Sequence, residues 1–134
     1  MPSNLPTLRA FQRPRLWLAL WALTIVAVIV LSMMPRPPIP QALVVGKIDH
    51  MIAYLVLATF AMQLFRARRT QLEMALVLVG LGIALELAQG YLTTYRDMSA
   101  YDALADTIGV ALGTATAWTP LATLLLRIDQ GWSR

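Results

Sequence analysis

The sequence predicts an all-α protein, a bundle of four transmembrane helices with both termini in the cytoplasm. Of its 134 residues, 58% are hydrophobic and only 13% are charged, whereas a soluble domain has about 25% charged residues. A hydrocarbon core about 30 Å thick requires roughly 20 apolar residues per helix, and the chain contains four apolar stretches of about that length. We therefore expect one membrane domain over residues 16–128 and no separate soluble domain.

The charge balance and the lack of cysteine restrict the function classes. The sequence contains no cysteine, which excludes disulfides, thiolate nucleophiles and cysteine-bound zinc. Its net charge is +4. In so apolar a chain, we interpret the basic residues as signals for membrane topology and expect no nucleic acid partner.

The first apolar stretch, residues 16–34, carries no charge and follows a basic tail at residues 1–15, which we expect to be flexible and cytoplasmic. It is too long for the core of a signal peptide and lacks a small-x-small cleavage site, so we expect it to remain as an anchor. Four prolines between residues 35 and 40 end this helix. They predict a stiff, extended loop after it.

Three further helices are predicted at residues 48–65, 72–92 and 101–126. The two tails and the loop at residues 66–71 together hold eight lysines and arginines. The two other loops, at residues 35–47 and 93–100, hold three, which gives a division of eight to three. Basic residues collect on the cytoplasmic side, so this division places both termini there. It also predicts a multi-pass membrane protein.

With this orientation, the ionisable residues of the apolar stretches collect at the outer leaflet. Asp49 and His50 begin the second helix, Glu86 lies near the end of the third, and Asp102 and Asp106 begin the fourth. Charged groups are costly in hydrocarbon, so such residues are rare unless they pair or function. Pairs spaced by three or four residues share one helix face, and we expect three helices to direct polar side chains into one site.

Some of these residues also have structural interpretations. Asp49 could cap its helix, and Ser99 with Asp102 has the form of a capping box. Tyr54 is expected to pack rather than react, and Gly80 and Gly82 are interpreted as packing residues. Small residues recur on the fourth helix at Ala105, Gly109 and Gly113, a pattern that permits close helix approach and is our candidate face for a homo-oligomer.

Several of these segments together resemble the VanZ-like family of small bacterial membrane proteins. They are Lys47-Ile-Asp-His-Met-Ile-Ala-Tyr54, Glu86-Leu-Ala-Gln89, Arg96-Asp-Met-Ser99 and Asp102-Ala-Leu-Ala-Asp106-Thr-Ile-Gly109. The similarity covers roughly residues 44–115. Asp106 departs from the family pattern, in which asparagine is usual at this place, so the site of this chain has an additional titratable group.

The resemblance implies a multi-pass protein of the bacterial cytoplasmic membrane. The founding member of the family gives low-level resistance to teicoplanin, a lipid-bearing glycopeptide acting at the outer face of the membrane. Together with the charge pattern, it suggests a site that binds a lipid or another lipid-tailed amphiphile. The residues predicted for this site are Asp49, His50, Tyr54, Glu86, Gln89, Arg96, Asp102 and Asp106.

Two other functions stay open at the level of sequence. An enzyme could use His50, Glu86 and Asp106 for acid–base or metal-assisted hydrolysis of a lipid substrate. No resident cofactor is predicted. A divalent cation at His50, Glu86, Asp102 and Asp106 is an alternative, although no paired-ligand motif such as H-E-x-x-H is present. The third hypothesis is a proton-coupled carrier subunit, against which the absence of an inverted repeat argues.

Overall fold

The computed structural model describes residues 7–35 and 46–132, and over these residues the protein is helical and contains no β-strand. The predicted all-α class is therefore confirmed for this part of the chain. Most of the predicted proline-rich loop lies outside the described residues. The helices are α1 (Pro14–Met33), α2 (Gly46–Leu64), α3 (Arg68–Leu92), α4 (Ala100–Ala115) and α5 (Leu124–Gly131), with 3₁₀ turns at Thr116–Trp118 and Pro120–Thr123.

Two of these helices, α1 and α3, are long and apolar enough to cross a membrane. A third span results only if Ala100–Trp118 and Pro120–Gly131, which are bent by 77°, are counted together. Helix α2 is not apolar enough to be counted as a span, since Lys47, Asp49 and His50 occupy its first turns. The composition is thus compatible with a membrane protein, while four spans and their orientation stay predictions.

The prediction of one continuous fourth helix over residues 101–126 is wrong. Helix α4 ends at Ala115, and Thr119 has an extended backbone with φ of −116° and ψ of 164°. Pro120 explains the break, because proline disfavours helical geometry in the residue before it and cannot donate a helical hydrogen bond. The chain then turns sharply into α5.

The described part of the N-terminal tail is packed, which corrects the expectation of a flexible tail. Leu8 and Phe11 are buried. The Arg9 N–H donates to the Leu64 carbonyl at 2.9 Å, and the Arg66 N–H donates to the Thr7 carbonyl at 2.8 Å. The first bond satisfies a carbonyl group that the end of α2 leaves unpaired, and the two bonds together tie the segment to the turn between α2 and α3.

Asp129 in α5 secures the same end of the bundle. It is 1% exposed and accepts hydrogen bonds from the Gln12 N–H and from Trp17 Nε1, the latter at 2.9 Å. The N-terminal segment, the α2–α3 turn and α5 therefore meet, and we call this region the basic end. Its described arginines are Arg9, Arg13, Arg15, Arg66, Arg68, Arg69 and Arg127.

Helices α2 and α4 form the most extensive contact in the bundle. Gly109 and Gly113 permit it, since a Cβ on Gly113 would lie 2.6 Å from the Leu55 carbonyl oxygen and 2.6 Å from the Ala58 Cβ. Ala105 on the same face is also buried. The face predicted for a homo-oligomer is therefore covered by α2 of the same chain, and the homo-oligomer stays a prediction.

Candidate functional site

The candidate site is centred on His50, in the second turn of α2 at the end of the bundle opposite the basic end. Its side chain is 12% exposed. Nδ1 lies 2.9 Å from Asp106 Oδ1, and Nε2 lies 3.8 Å from Asp102 Oδ2. Asp102 and Asp106 are one turn apart on α4, so their carboxylates approach both nitrogens of the ring.

Glu86 joins this group from α3. It is buried, and its Oε1 lies 3.9 Å from His50 Nδ1. Its Oε2 accepts a hydrogen bond of 3.0 Å from the Ser99 N–H. Since Ser99 is the N-cap of α4, this bond fixes the start of α4 against α3.

The predicted capping box at Ser99 is formed only in part. The Ser99 hydroxyl accepts from the Asp102 N–H at 3.3 Å, as the motif predicts. The Ser99 N–H, however, binds Glu86 of the neighbouring helix, where a capping box would use a carboxylate three residues further along α4. The Asp102 carboxylate instead faces His50.

Three helices thus contribute one ligand-type atom each from His50, Glu86 and Asp106, and these atoms all lie within 4.8 Å of one another. Both carboxyl groups are buried. Glu86 Oε1 has no hydrogen-bond partner among the residues that the structure describes. The arrangement could hold a metal ion, or it could accept hydrogen bonds from a ligand.

Gly82 makes room for Asp106. A Cβ at Gly82 would lie 2.9 Å from Asp106 Oδ2 and 3.1 Å from its Cβ, whereas a Cβ at Gly80 would meet nothing within 4 Å. Sequence reasoning treated both glycines as packing residues. The spacing of Gly82 and Glu86, four residues apart on one face of α3, was the available signal that Gly82 borders the site.

The other predicted residues are placed less uniformly. Gln89 is buried, but its Nε2 donates to the Ser32 carbonyl at 2.8 Å and so joins α3 to the end of α1. Tyr54, one turn after His50, is 1% exposed, and its hydroxyl has no described hydrogen-bond partner.

Arg96 is half-buried in the α3–α4 loop. Asp49 is exposed and is not part of the group that surrounds His50.

A rim of apolar and aromatic side chains lies at this end of the bundle, which we call the site end. Lys47 Nζ lies 4.9 Å from the centre of the Tyr101 ring. Tyr101 directly precedes Asp102 in the chain. Sequence reasoning did not assign this pair to the site. The exposed apolar side chains of the α3 end, the loop and the α4 start are Tyr91, Leu92, Tyr95, Met98 and Tyr101.

Comparisons of the chain with protein-family models, with curated proteins and with solved structures found no match.

Proposed function

We propose that the chain is an integral membrane protein that binds the polar headgroup of an amphiphile at the site end. The observation that carries this proposal is the convergence of an imidazole and three carboxyl groups from three helices. Among the residues that the structure describes, the buried Glu86 Oε1 has no hydrogen-bond partner. Buried polar groups are normally hydrogen-bonded, so an unpaired acceptor in such a group suggests a ligand that supplies a donor.

The composition of the site indicates the chemistry of the headgroup. Carboxylates accept hydrogen bonds, so the interior favours hydroxyl or ammonium donors. Lys47 and Arg96 supply positive charge at the rim, and the planar guanidinium of arginine suits phosphate. We therefore expect a headgroup with a phosphate near the rim and a donor group that reaches Glu86 and Asp106.

The surface around the site favours a lipid-tailed ligand over a soluble one. Tyr91 and Leu92 are 80% and 77% exposed, and Tyr101 is 70% exposed. Exposed apolar side chains of this density are typical of surfaces that contact lipid or a partner. Acyl chains could lie along these residues while the headgroup enters between α2, α3 and α4.

The resemblance of residues 44–115 to the VanZ-like family supports a role in the bacterial envelope. On that basis the candidate ligands are a membrane lipid, a lipid-linked envelope precursor or a lipoglycopeptide such as teicoplanin, and resistance of the teicoplanin type is a candidate phenotype. The eight-to-three division of basic residues supports a cytoplasmic position for the basic end, which would put the site at the outer leaflet.

The proposal is tested with the purified chain in nanodiscs, in which the binding of different phospholipids is compared. Phosphatidylethanolamine and phosphatidylglycerol offer hydrogen-bond donors, whereas phosphatidylcholine has the phosphate without a donor. We expect phosphatidylethanolamine and phosphatidylglycerol to stay bound to the protein in native mass spectrometry more than phosphatidylcholine does. They should also raise the melting temperature of the protein more than phosphatidylcholine does. Arg96→Gln should weaken retention about tenfold, while Arg69→Gln, at the basic end, should leave it unchanged. Equal retention of all three lipids would contradict the proposal.

A second candidate, a hydrolase of a lipid substrate, is favoured by the 2.9 Å contact between His50 Nδ1 and Asp106 Oδ1. A histidine oriented by a carboxylate is a frequent general base. The same lipids distinguish the two functions. Release of water-soluble headgroup by the wild type, abolished in His50→Gln while lipid retention persists, would identify the chain as an enzyme.

A further inference from the structure

The geometry points to a divalent metal ion of the zinc class bound by His50, Glu86 and Asp106. This inference deepens the proposed function, since the ion would lie at the base of the headgroup site, and it rests on that function for its biological role. The binding itself can be measured independently of any lipid.

The three donors have suitable chemistry and separation. His50 supplies an imidazole nitrogen and the two acids supply carboxylate oxygens, all within 4.8 Å of one another. Zinc binds such atoms at about 2.1 Å, so tetrahedral ligands lie roughly 3.4 Å apart. The present separation requires only small side-chain rotations, and the donors come from three helices that the fold already packs together.

Glu86 gives an independent indication of a ligand. The residue is 3% exposed, and its Oε2 accepts a hydrogen bond from the Ser99 N–H at 3.0 Å. The other oxygen, Oε1, is the one that faces His50 Nδ1, and it has no described hydrogen-bond partner. An unpaired buried carboxylate oxygen is costly, and a metal ion at this place would satisfy it.

The second nitrogen of His50 faces a carboxylate group. If Nδ1 binds the ion, Nε2 carries the proton, and Nε2 lies 3.8 Å from Asp102 Oδ2. Metal-binding histidines usually direct their other N–H to a carboxylate or carbonyl group, which fixes the ring and its tautomer. Asp102 would therefore position the ligand without contacting the ion.

Charge balance also favours an ion. Glu86, Asp102 and Asp106 surround a single histidine, and ionised groups at membrane depth require compensation. A divalent cation would offset the carboxylates and leave one coordination position open for the headgroup.

The ligand set limits the choice of ion. Imidazole suits zinc and other transition metals, whereas magnesium prefers oxygen ligands and retains several waters. Three protein ligands with an open fourth position are also the usual arrangement of reactive zinc sites. We therefore expect Zn²⁺ to bind more tightly than Mg²⁺, with Mn²⁺ between them.

The test uses the full chain in detergent, without an affinity tag and without added phospholipid. Equilibrium dialysis against Zn²⁺, with metal analysis, should give about one ion per chain. Glu86→Gln and Asp106→Asn should each weaken binding more than about 100-fold. Asp102→Asn should weaken it by about 10–100-fold, the range for residues that hydrogen-bond to a metal ligand. Asp97→Asn, an exposed change in the α3–α4 loop, should bind like the wild type.

A second measurement covers variants that fold poorly. Co²⁺ bound to the wild type should give visible absorption bands of nitrogen and oxygen coordination, which excess Zn²⁺ should remove. The inference is overturned if the wild type binds no stoichiometric Zn²⁺, or if Glu86→Gln and Asp106→Asn bind it equally well. Lipid retention measured with a chelator present tests the proposed function separately, so either result can fail while the other stands.

Discussion

His50 is the residue that the three carboxyl groups of the site surround. Its position at the start of a helix and the acids at the starts or ends of two other helices were sufficient to predict that His50, Glu86, Asp102 and Asp106 would meet. The sequence could not predict which atoms pair. Gln89 shares a face with Glu86, yet it binds the Ser32 carbonyl of α1, because the end of α1 lies beside it in the fold.

At Gly82, a single added methyl group should disturb the site. Gly82→Ala would place its Cβ 2.9 Å from Asp106 Oδ2, so Asp106 must move and its contact with His50 must lengthen. We expect the variant to lose about 1–3 kcal/mol of unfolding free energy, as in other overpacked sites. Chemical or thermal unfolding in detergent measures this effect.

Gly80→Ala is the matched control for that substitution. It lies on the same helix, and its Cβ would meet nothing within 4 Å. Because alanine favours a helix more than glycine does, it should leave stability unchanged or raise it by up to about 1 kcal/mol. If both variants unfold alike, the assigned role of Gly82 is wrong.

Among the elements, α1, α2 and α3 follow the apolar stretches of the sequence closely, because length and lack of charge determine where such helices form. The N-terminal segment and the end of the fourth helix do not. Their structure depends on contacts with distant residues, such as the Arg9 N–H bond to Leu64 and the Asp129 bonds to Gln12 and Trp17. Periodicity and composition contain no information about such partners.

The close contact of α2 with α4 should depend on Gly113. In Gly113→Ala the new Cβ would meet the Leu55 carbonyl oxygen and the Ala58 Cβ at 2.6 Å, so the two helices must separate. We expect a loss of about 1–3 kcal/mol of unfolding free energy. Ala111→Val adds volume on an exposed position of the same helix and should change stability by less than about 0.5 kcal/mol. If Gly113→Ala and Ala111→Val lost the same unfolding free energy, the contact between α2 and α4 would not depend on the small size of Gly113.

Over the whole molecule, polar chemistry and basic charge lie at opposite ends. The site end holds His50 and its carboxyl groups, and the basic end holds seven of the described arginines. The eight-to-three charge count predicted this separation from sequence, because the loops alternate between the ends of successive helices. The side of the membrane on which each end lies stays a prediction.

The lack of native cysteine permits a direct test of orientation. Asp97→Cys introduces a thiol at the site end, and Arg69→Cys introduces one at the basic end, where the Arg69 side chain is 91% exposed. In intact spheroplasts, a membrane-impermeant maleimide should label position 97 and should label position 69 only after permeabilisation. The opposite pattern would place the site at the cytoplasmic face.

The polarity of α2 has a consequence for biosynthesis. Helix α2 is not apolar enough by itself to count as a span, and its His50 pairs with Asp106, which leaves the ribosome 56 residues later. In the predicted four-span arrangement, the polar face of α2 would therefore stay uncovered until α3 and α4 have been made. We expect α1 to enter the bilayer first and alone, and α2 to require an insertase that shelters it until α4 has been made.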